Sequence, residues 1–320
     1  MTTPAAGSNG PRIAVVGIGG VGGFLGGCLT AAGYQPYLLA RGENLAALRR
    51  TGLRLTSGDE TRLVPTVLAT DDPREVGEVD VVLLCVKTGQ LPQAIEVANP
   101  LIGAGTAVVT IQNGVDAPEE VASAIGREHV LPGIIRIVAT RIGPGEIVYS
   151  GGPVALGFAE WDGGVSDRVS RLREVVRTAG LVALEPDDIW ADLWTKFMTV
   201  VPIGSLGAAT GGATIGELRS RAGVREMLVA GSREIFSAGV ELGIALPDDA
   251  VDTAVGVMER QPADATTSLQ RDILAGRPSE LEAWTGAAVR LAGRAGLAAP
   301  VHEMLYELLA VRAARAAAGV

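Results

Sequence analysis

The residues that most constrain the chemistry stand near the N-terminus, in Gly17-Ile18-Gly19-Gly20-Val21-Gly22. A GxGxxG run is a weak signal by itself. Here it follows the β-branched stretch Ile13-Ala14-Val15-Val16 and precedes a helical segment that reaches Ala32 and closes on Gly33, and that context gives each glycine a mechanical role. Gly17 permits the tight turn, Gly19 leaves the backbone bare for an approaching pyrophosphate, and Gly22 lets helix and strand pack closely. Gly20 and Val21 open the helix, where free N–H groups and a partial positive charge suit an anion. The predicted ligand is a dinucleotide; a glycine-rich turn with no ligand is the plainer alternative. The end of the second strand, Tyr37 to Ala40, selects the dinucleotide. An acidic residue there reads the ribose 2′-hydroxyl of NAD. This chain has Arg41, then Gly42, Glu43 and Asn44. A guanidinium matches a 2′-phosphate, so NADPH is the expected cofactor, with a solvated surface arginine as the alternative.

Such a loop needs a scaffold of strands and helices. Apolar runs of strand length recur at Val79 to Val86, Ala107 to Ile111 and Val130 to Ile137, with helical patterns at Leu91 to Asn99 and Pro118 to Ile125 between them. This alternation predicts a mostly parallel sheet. Ile147-Val148 and Val154 to Phe158 read as two later strands, a hairpin at the sheet edge, and Arg168 to Ala179 as a helix. Beyond Glu185-Pro186 the pattern is helical: Ile189 to Val201, Val224 to Leu242, Ser268 to Leu274, Glu280 to Ala295 and Val301 to Ala314. The expected fold is α/β, a Rossmann-type parallel-sheet domain over 1–185 followed by an all-helical domain over 186–320. Residues 1–11 read as a loose tail and 312–320 as a fraying helix end.

The chain has 320 residues, 48% of them hydrophobic and 4% aromatic, so two cores built from Ala, Val, Leu and Ile are expected. The formal charge of −9 argues against a nucleic-acid partner. Cys28 and Cys85 lie in apolar runs and read as buried thiols. With His129 and His302 far apart, no metal site is expected. The N-terminus shows no apolar signal core and no stretch has the length of a membrane span. The cytoplasm is the expected location, with no membrane partner.

Taken in order, GIGGVGG, ARGENLAALRRTGL, CVKTGQ, IQNG, WTKF, SLQRDILAGRPSELE and AGLAAPVHEML resemble the ketopantoate reductase (2-dehydropantoate 2-reductase) family over nearly the whole chain. The resemblance implies a Rossmann domain followed by a helical domain, an active site in the cleft between them, and transfer of hydride from NADPH to the carbonyl of a 2-oxo acid, the reaction that serves pantothenate biosynthesis. Lys196 matches the family's catalytic lysine, which polarises the carbonyl and delivers the proton. An apolar helix around it is expected to favour the neutral amine by desolvation; a lysine snorkelling from a helix edge is the alternative. Lys87, at the carboxyl end of a parallel strand where open α/β sheets bind ligands, matches a family lysine near cofactor and substrate, with Gln90 on the same loop. Asn113 matches the asparagine that bridges nicotinamide and substrate, although Asn-Gly is also a turn former. Ser268 and Glu280 match the substrate-binding serine and glutamate, at the separation of the family pattern. A helix N-cap for Ser268 and a first-turn acid for Glu280 are the alternatives.

One departure stands out. Family members carry asparagines four and eight residues after the lysine, on one helix stripe. Here those positions are Val200 and Gly204, with Pro202 between them expected to bend or interrupt the helix. A site that gives up two amides is ill suited to substrate hydroxyls. Gly204 is expected to open volume beside Lys196, unless Thr199 or Ser205 turns inward to replace the amides. The leading expectation is therefore an NADPH-dependent reductase of a small carbonyl compound, 2-dehydropantoate or a more apolar relative, acting as a monomer or homodimer. A ketone reductase or dehydrogenase of a specialised pathway, and a non-catalytic NADP-binding sensor, are the competing readings.

Overall fold

The computed structural model describes residues 10–317, so the expected tail and frayed end fall largely or partly outside the described residues. The chain runs through β1 (Ile13–Val16), α1 (Gly20–Ala31), β2 (Tyr37–Leu39), α2 (Gly42–Thr51), β3 (Leu53–Ser57), β4 (Glu60–Val64), β5 (Leu68–Thr70), β6 (Val79–Leu84), α3 (Leu91–Ala98), β7 (Ile102–Thr110), α4 (Ala117–Ile125), β8 (Val130–Gly143), β9 (Glu146–Phe158), α5 (Asp167–Thr178) and β10 (Val182–Leu184). There follow α6 (Ile189–Ala209), α7 (Ile215–Ser220), α8 (Ala222–Glu241), α9 (Ala250–Arg260), α10 (Ser268–Leu274), a π-helical turn (Glu282–Gly286), α11 (Ala287–Arg294) and α12 (Pro300–Ala317). This is the α/β fold with a helical C-terminal part that the sequence predicts.

Two compact units divide the chain. One ends at Gln112 and resumes over Ala117–Ile189; the other is Asn113–Asp116 together with the chain from Trp190 onward. In the first, the described strands form one sheet in the order β4-β3-β9-β8-β7-β6-β1-β2-β5, with β10 on β9. Strands β5, β2, β1, β6, β7 and β8 pair in parallel. Alternate residues of β1 enter different cores: Ile13 and Val15 pack with Leu25 and Leu38, and Ala14 and Val16 with Val82, Leu84, Leu91 and Ile95. A strand buried on both faces needs an unbroken apolar run, and that is why β1 was legible. Of the two thiols, Cys28 is in the core, and burial pushes it up to about 11; Cys85 is partly buried against the same core and is pushed higher still.

The edge hairpin is not what forms. β8 extends to Gly143, and Glu146–Phe158 is one strand, paired antiparallel to β8 from Gly143↔Glu146 to Gly133↔Phe158. Irregularities between Arg136 and Val138 and between Arg141 and Gly143 absorb the mismatch. Gly151-Gly152-Pro153, between the two expected strands, lies within this one strand. Strand β9 is also internal, because β3 pairs with it in parallel and carries β4 beyond. The β3–β4 hairpin has a weak apolar alternation and was not read from the sequence.

Pro202 does not interrupt its helix. α6 is continuous from Ile189 to Ala209 with Pro202 inside it. Proline at 202 removes the N–H that would bond the Met198 carbonyl. The Ser232 hydroxyl on α8 donates to that carbonyl at 3.0 Å, shared with the Leu228 carbonyl. The preceding Gly231 makes room for the ring: a Cβ there would lie 3.3 Å from Pro202 Cβ and Cγ. The helix expected over Glu280 to Ala295 likewise begins as the π-helical turn and becomes α-helical only at Ala287.

Candidate active site

Within the first unit the glycine turn joins β1 to α1. Gly17 has φ +95, a conformation that a side chain resists, and a Cβ there would lie 2.5 Å from Val86 Cγ1. A Cβ on Gly22 would collide with the Gly17 carbonyl oxygen and meet Cys85 Cβ at 2.9 Å, and one on Gly20 would collide with Ala139 of β8. These three glycines answer to close packing inside the protein. Gly19 does not: its φ is −87, and a Cβ there would meet nothing within 4 Å. Gly19 is the N-cap of α1, with no side-chain cap and no acidic residue in the first turn. The open N–H groups of Gly20, Val21 and Gly22 therefore face no competing side-chain anion of that turn, and the turn fits a dinucleotide pyrophosphate.

Arg41 is exposed and serves as N-cap of α2, directly after β2. Asn44, one turn on, is buried; its Nδ2 donates to the Ile18 carbonyl at 3.0 Å and its Oδ1 accepts from Gly145 N–H at 2.9 Å. One side chain thus ties α2 to the glycine turn and to the β8–β9 turn. Lys87 is exposed just after β6 and precedes a short 3₁₀ turn over Thr88–Gln90; Gln90 is also exposed, and its Oε1 accepts from the Lys87 N–H at 3.4 Å. Buried Gln112 fixes that strand end: its Nε2 donates to the carbonyls of Leu84 at 2.7 Å and Val86 at 3.1 Å.

The second unit holds the other predicted residues. Lys196 is half-buried on α6 beside buried Trp194, Phe197 and Met198, and shares a stripe with half-buried Val200 and buried Gly204. Ser268 is the first residue of α10 and half-buried; the N-cap is Thr267, which forms a capping box with Gln270. Glu280 is buried just ahead of the π-helical turn, and its carbonyl accepts from Trp284 N–H at 3.0 Å. That turn connects the pieces. A Cβ on Gly114, beside Asn113, would lie 3.0 Å from the Ala283 carbonyl oxygen, and one on Gly204 would lie 2.8 Å from Trp284 Cζ3 and 3.1 Å from Thr267 Oγ1. The Thr285 hydroxyl lies 2.7 Å from that of Ser205. Asp116 Oδ2 lies 3.7 Å from Arg290 Nη2; burial outweighs Arg290 and Arg294 and holds the Asp116 carboxyl above the usual carboxylate range.

Two expectations about the stripe are corrected here. Gly204 opens no volume, because the buried Trp284 ring already fills the space. Nor do hydroxyls replace the missing amides: Thr199 Oγ1 donates back to the Thr195 carbonyl at 2.9 Å, and Ser205 is engaged with Thr285. Trp284, Asn44 and Gln112 were not singled out from the sequence. Each acts through a contact distant in sequence, which no local pattern announces.

Residues 13–163 match the family model for ketopantoate reductase PanE/ApbA, and residues 188–313 match the model for its C-terminal part. The chain belongs to the ketopantoate reductase family. The 2-dehydropantoate 2-reductase of Mesorhizobium japonicum is 30% identical to this ketopantoate reductase family member over 307 residues, covering 88% of this chain and 91% of the relative. The crystal structure of 2-dehydropantoate 2-reductase from Geobacter metallireducens is 27% identical, with a TM-score of 0.87 over 94% of this chain and 99% of that one. A D-mandelate dehydrogenase solved with NADH and anilino(oxo)acetate shares the fold, at 20% identity and a TM-score of 0.86 over 95% of this chain and 99% of that one. This family member is an oxidoreductase acting on CH–OH and C=O groups, a 2-dehydropantoate 2-reductase-like, NAD(P)-dependent enzyme with a small carbonyl substrate. No described helix is long and apolar enough to cross a membrane.

Proposed function

We propose that the chain reduces the carbonyl of a 2-oxo acid with NADPH, Lys196 acting as general acid. The observation that carries the cofactor reading is Gly19. A Cβ there would meet nothing of the protein within 4 Å, and α1 starts from this glycine with no side-chain cap, so the bare backbone leaves room for a pyrophosphate against the free N–H groups of the helix. Gly17, Gly19, Gly20, Val21 and Gly22 hold the pyrophosphate, and Arg41 holds the 2′-phosphate. Lys87, Gln90 and Asn113 serve the nicotinamide side. When bound, the cofactor supplies the hydride that the carbonyl carbon receives.

Lys196 donates a proton to the developing alkoxide, and its half-buried setting strengthens the interaction. Ser268 hydrogen-bonds the substrate carboxylate. Glu280, with its carboxyl in a buried position, accepts from a substrate hydroxyl or from Lys196. Half-buried Val200 gives the substrate tail an apolar wall, and at Gly204 no amide is present because the buried Trp284 ring fills that space. A hydroxyl left unpaired there costs about 1–3 kcal/mol, or roughly ten- to hundred-fold in efficiency. The preferred substrate is then more apolar than 2-dehydropantoate, and the catalytic unit is a monomer or homodimer. The test is NADPH and NADH consumption at 340 nm with a panel of 2-oxo acids. The reading expects a preference for NADPH and for an apolar 2-oxo acid. Highest efficiency on 2-dehydropantoate would return the substrate to the family's namesake, and turnover of none of the panel would overturn the reading.

A further inference from the structure

We infer that Arg141, on the β8–β9 hairpin, is a second specificity-determining cation for the adenosine 2′-phosphate, facing Arg41 across one pocket. The inference rests on the NADPH reading and adds a residue and an element to it. A cavity of about 350 Å³ is lined by Arg41, Glu43, Asn44, Arg141, Ile142 and the Gly143-Pro144 turn. Arg41 and Arg141 are both exposed, and among the described residues neither guanidinium has a hydrogen-bond or ion-pair partner. An unpaired pair of guanidiniums around one cavity repels itself and gains from a dianion placed between them.

The hairpin is held where this role needs it. Ala139 packs so tightly on the glycine turn that a Cβ on Gly20 would strike its carbonyl. Arg141 lies two residues further along the strand, on the same face. At the turn, Gly145 N–H donates to Asn44 Oδ1 at 2.9 Å, Asn44 Nδ2 donates to the Ile18 carbonyl at 3.0 Å, and Arg54 N–H donates to the Gly145 carbonyl at 2.8 Å. The pyrophosphate turn, the Arg41 cap and the hairpin therefore form one hydrogen-bonded frame. The rest of the lining also suits an adenosine. Ile142, 64% exposed, offers an apolar face for a base. Glu43 is the lone carboxylate in the lining; it can accept a ribose hydroxyl, and it leaves the pocket with one net positive charge. Nothing in the local sequence betrays Arg141, because a long-range strand register brings it to Arg41.

The experiment measures dissociation constants of NADPH and NADH, by quenching of protein fluorescence, for the full chain and for Arg41→Ala, Arg141→Ala and the double variant. Adenosine 2′,5′-bisphosphate and 5′-AMP serve as competing probes. Charge-assisted hydrogen bonds at an exposed site give the expectation: Arg141→Ala weakens NADPH and the bisphosphate by about ten-fold, and leaves NADH and 5′-AMP within about two-fold. Arg141→Lys recovers part of the loss, and thermal unfolding of Arg141→Ala matches the parent. If Arg141→Ala weakens NADPH and NADH alike, the residue is structural and the inference fails. If Arg41→Ala lowers the NADPH preference and Arg141→Ala does not, the inference fails while the NADPH reading stands. If neither variant changes the preference, both fail.

Discussion

Replacing Gly204 with asparagine, the residue that the family resemblance implies at this position, should destabilise the protein. The Cβ alone would lie 2.8 Å from Trp284 Cζ3 and 3.1 Å from Thr267 Oγ1, well inside the ~3.5–4.0 Å optimum for such contacts. Trp284 is 2% exposed, so its ring cannot swing into solvent, and the amide adds further atoms to the same space. Overpacking of this kind costs about 1–3 kcal/mol. Better helix propensity of asparagine over glycine returns only a few tenths, roughly 0.3 kcal/mol. The net loss of about 1–3 kcal/mol should appear in urea unfolding followed by circular dichroism. Trp284→Ala alone should cost about 3–5 kcal/mol through its cavity. The double variant should be more stable than the sum of the single losses implies, by about 1–2 kcal/mol, because the asparagine fills part of the hole. Gly204→Asn with parental stability, or strictly additive losses, would show that Trp284 does not occupy the asparagine's space.

Ser232→Ala should cost about 1–3 kcal/mol in the parent, by leaving the Met198 carbonyl without the 3.0 Å hydroxyl donor that stands in for the Pro202 amide. In a Pro202→Ala background a backbone N–H returns and the same substitution should cost less; equal losses in a double-mutant cycle would refute the compensation. Glu234 accepts from His302 Nδ1 at 2.6 Å and from the Val301 N–H at 2.8 Å at the start of α12. Burial alone would raise its carboxyl, but the bonds from His302 and Val301 outweigh burial and hold it below the usual range. A depressed carboxylate stabilises the fold above its unfolded pKa, about 4.3, and loses that contribution as pH falls through the folded value. The parent should therefore exceed Glu234→Gln in chemical unfolding above about pH 4.3 and lose that advantage progressively below it; an advantage that grows as pH falls below about 4.3 would contradict it.

The fold was legible wherever one local rule decided the outcome. β1 is unbroken and apolar because it is buried on both faces, and the glycine turn combines positive φ at Gly17 with close packing at Gly22. The length of β9 was not legible, because Gly-Gly-Pro reads as a turn unless a partner strand holds it extended. Past Pro202, the Met198 carbonyl of α6 is satisfied by Ser232, thirty-odd residues away on another helix. At the candidate site the apolar character of the stripe was visible in Val200. That Trp284 fills the space at Gly204 could not be seen, since the π-helical turn that delivers it is a tertiary feature. Arg141 lines the same cavity as Arg41 only through the register of β8.

In the proposed reaction Lys196 delivers the proton to the carbonyl oxygen as the carbon is reduced. The most direct test is the turnover number of Lys196→Ala on the best substrate of the 2-oxo acid panel, measured beside its NADPH dissociation constant. The expected turnover is lower by about 10²–10⁴-fold, the range of general acid catalysis, with NADPH affinity within about two-fold of the parent, since a lost transition-state interaction leaves cofactor binding intact. Near-parental turnover in Lys196→Ala would contradict it.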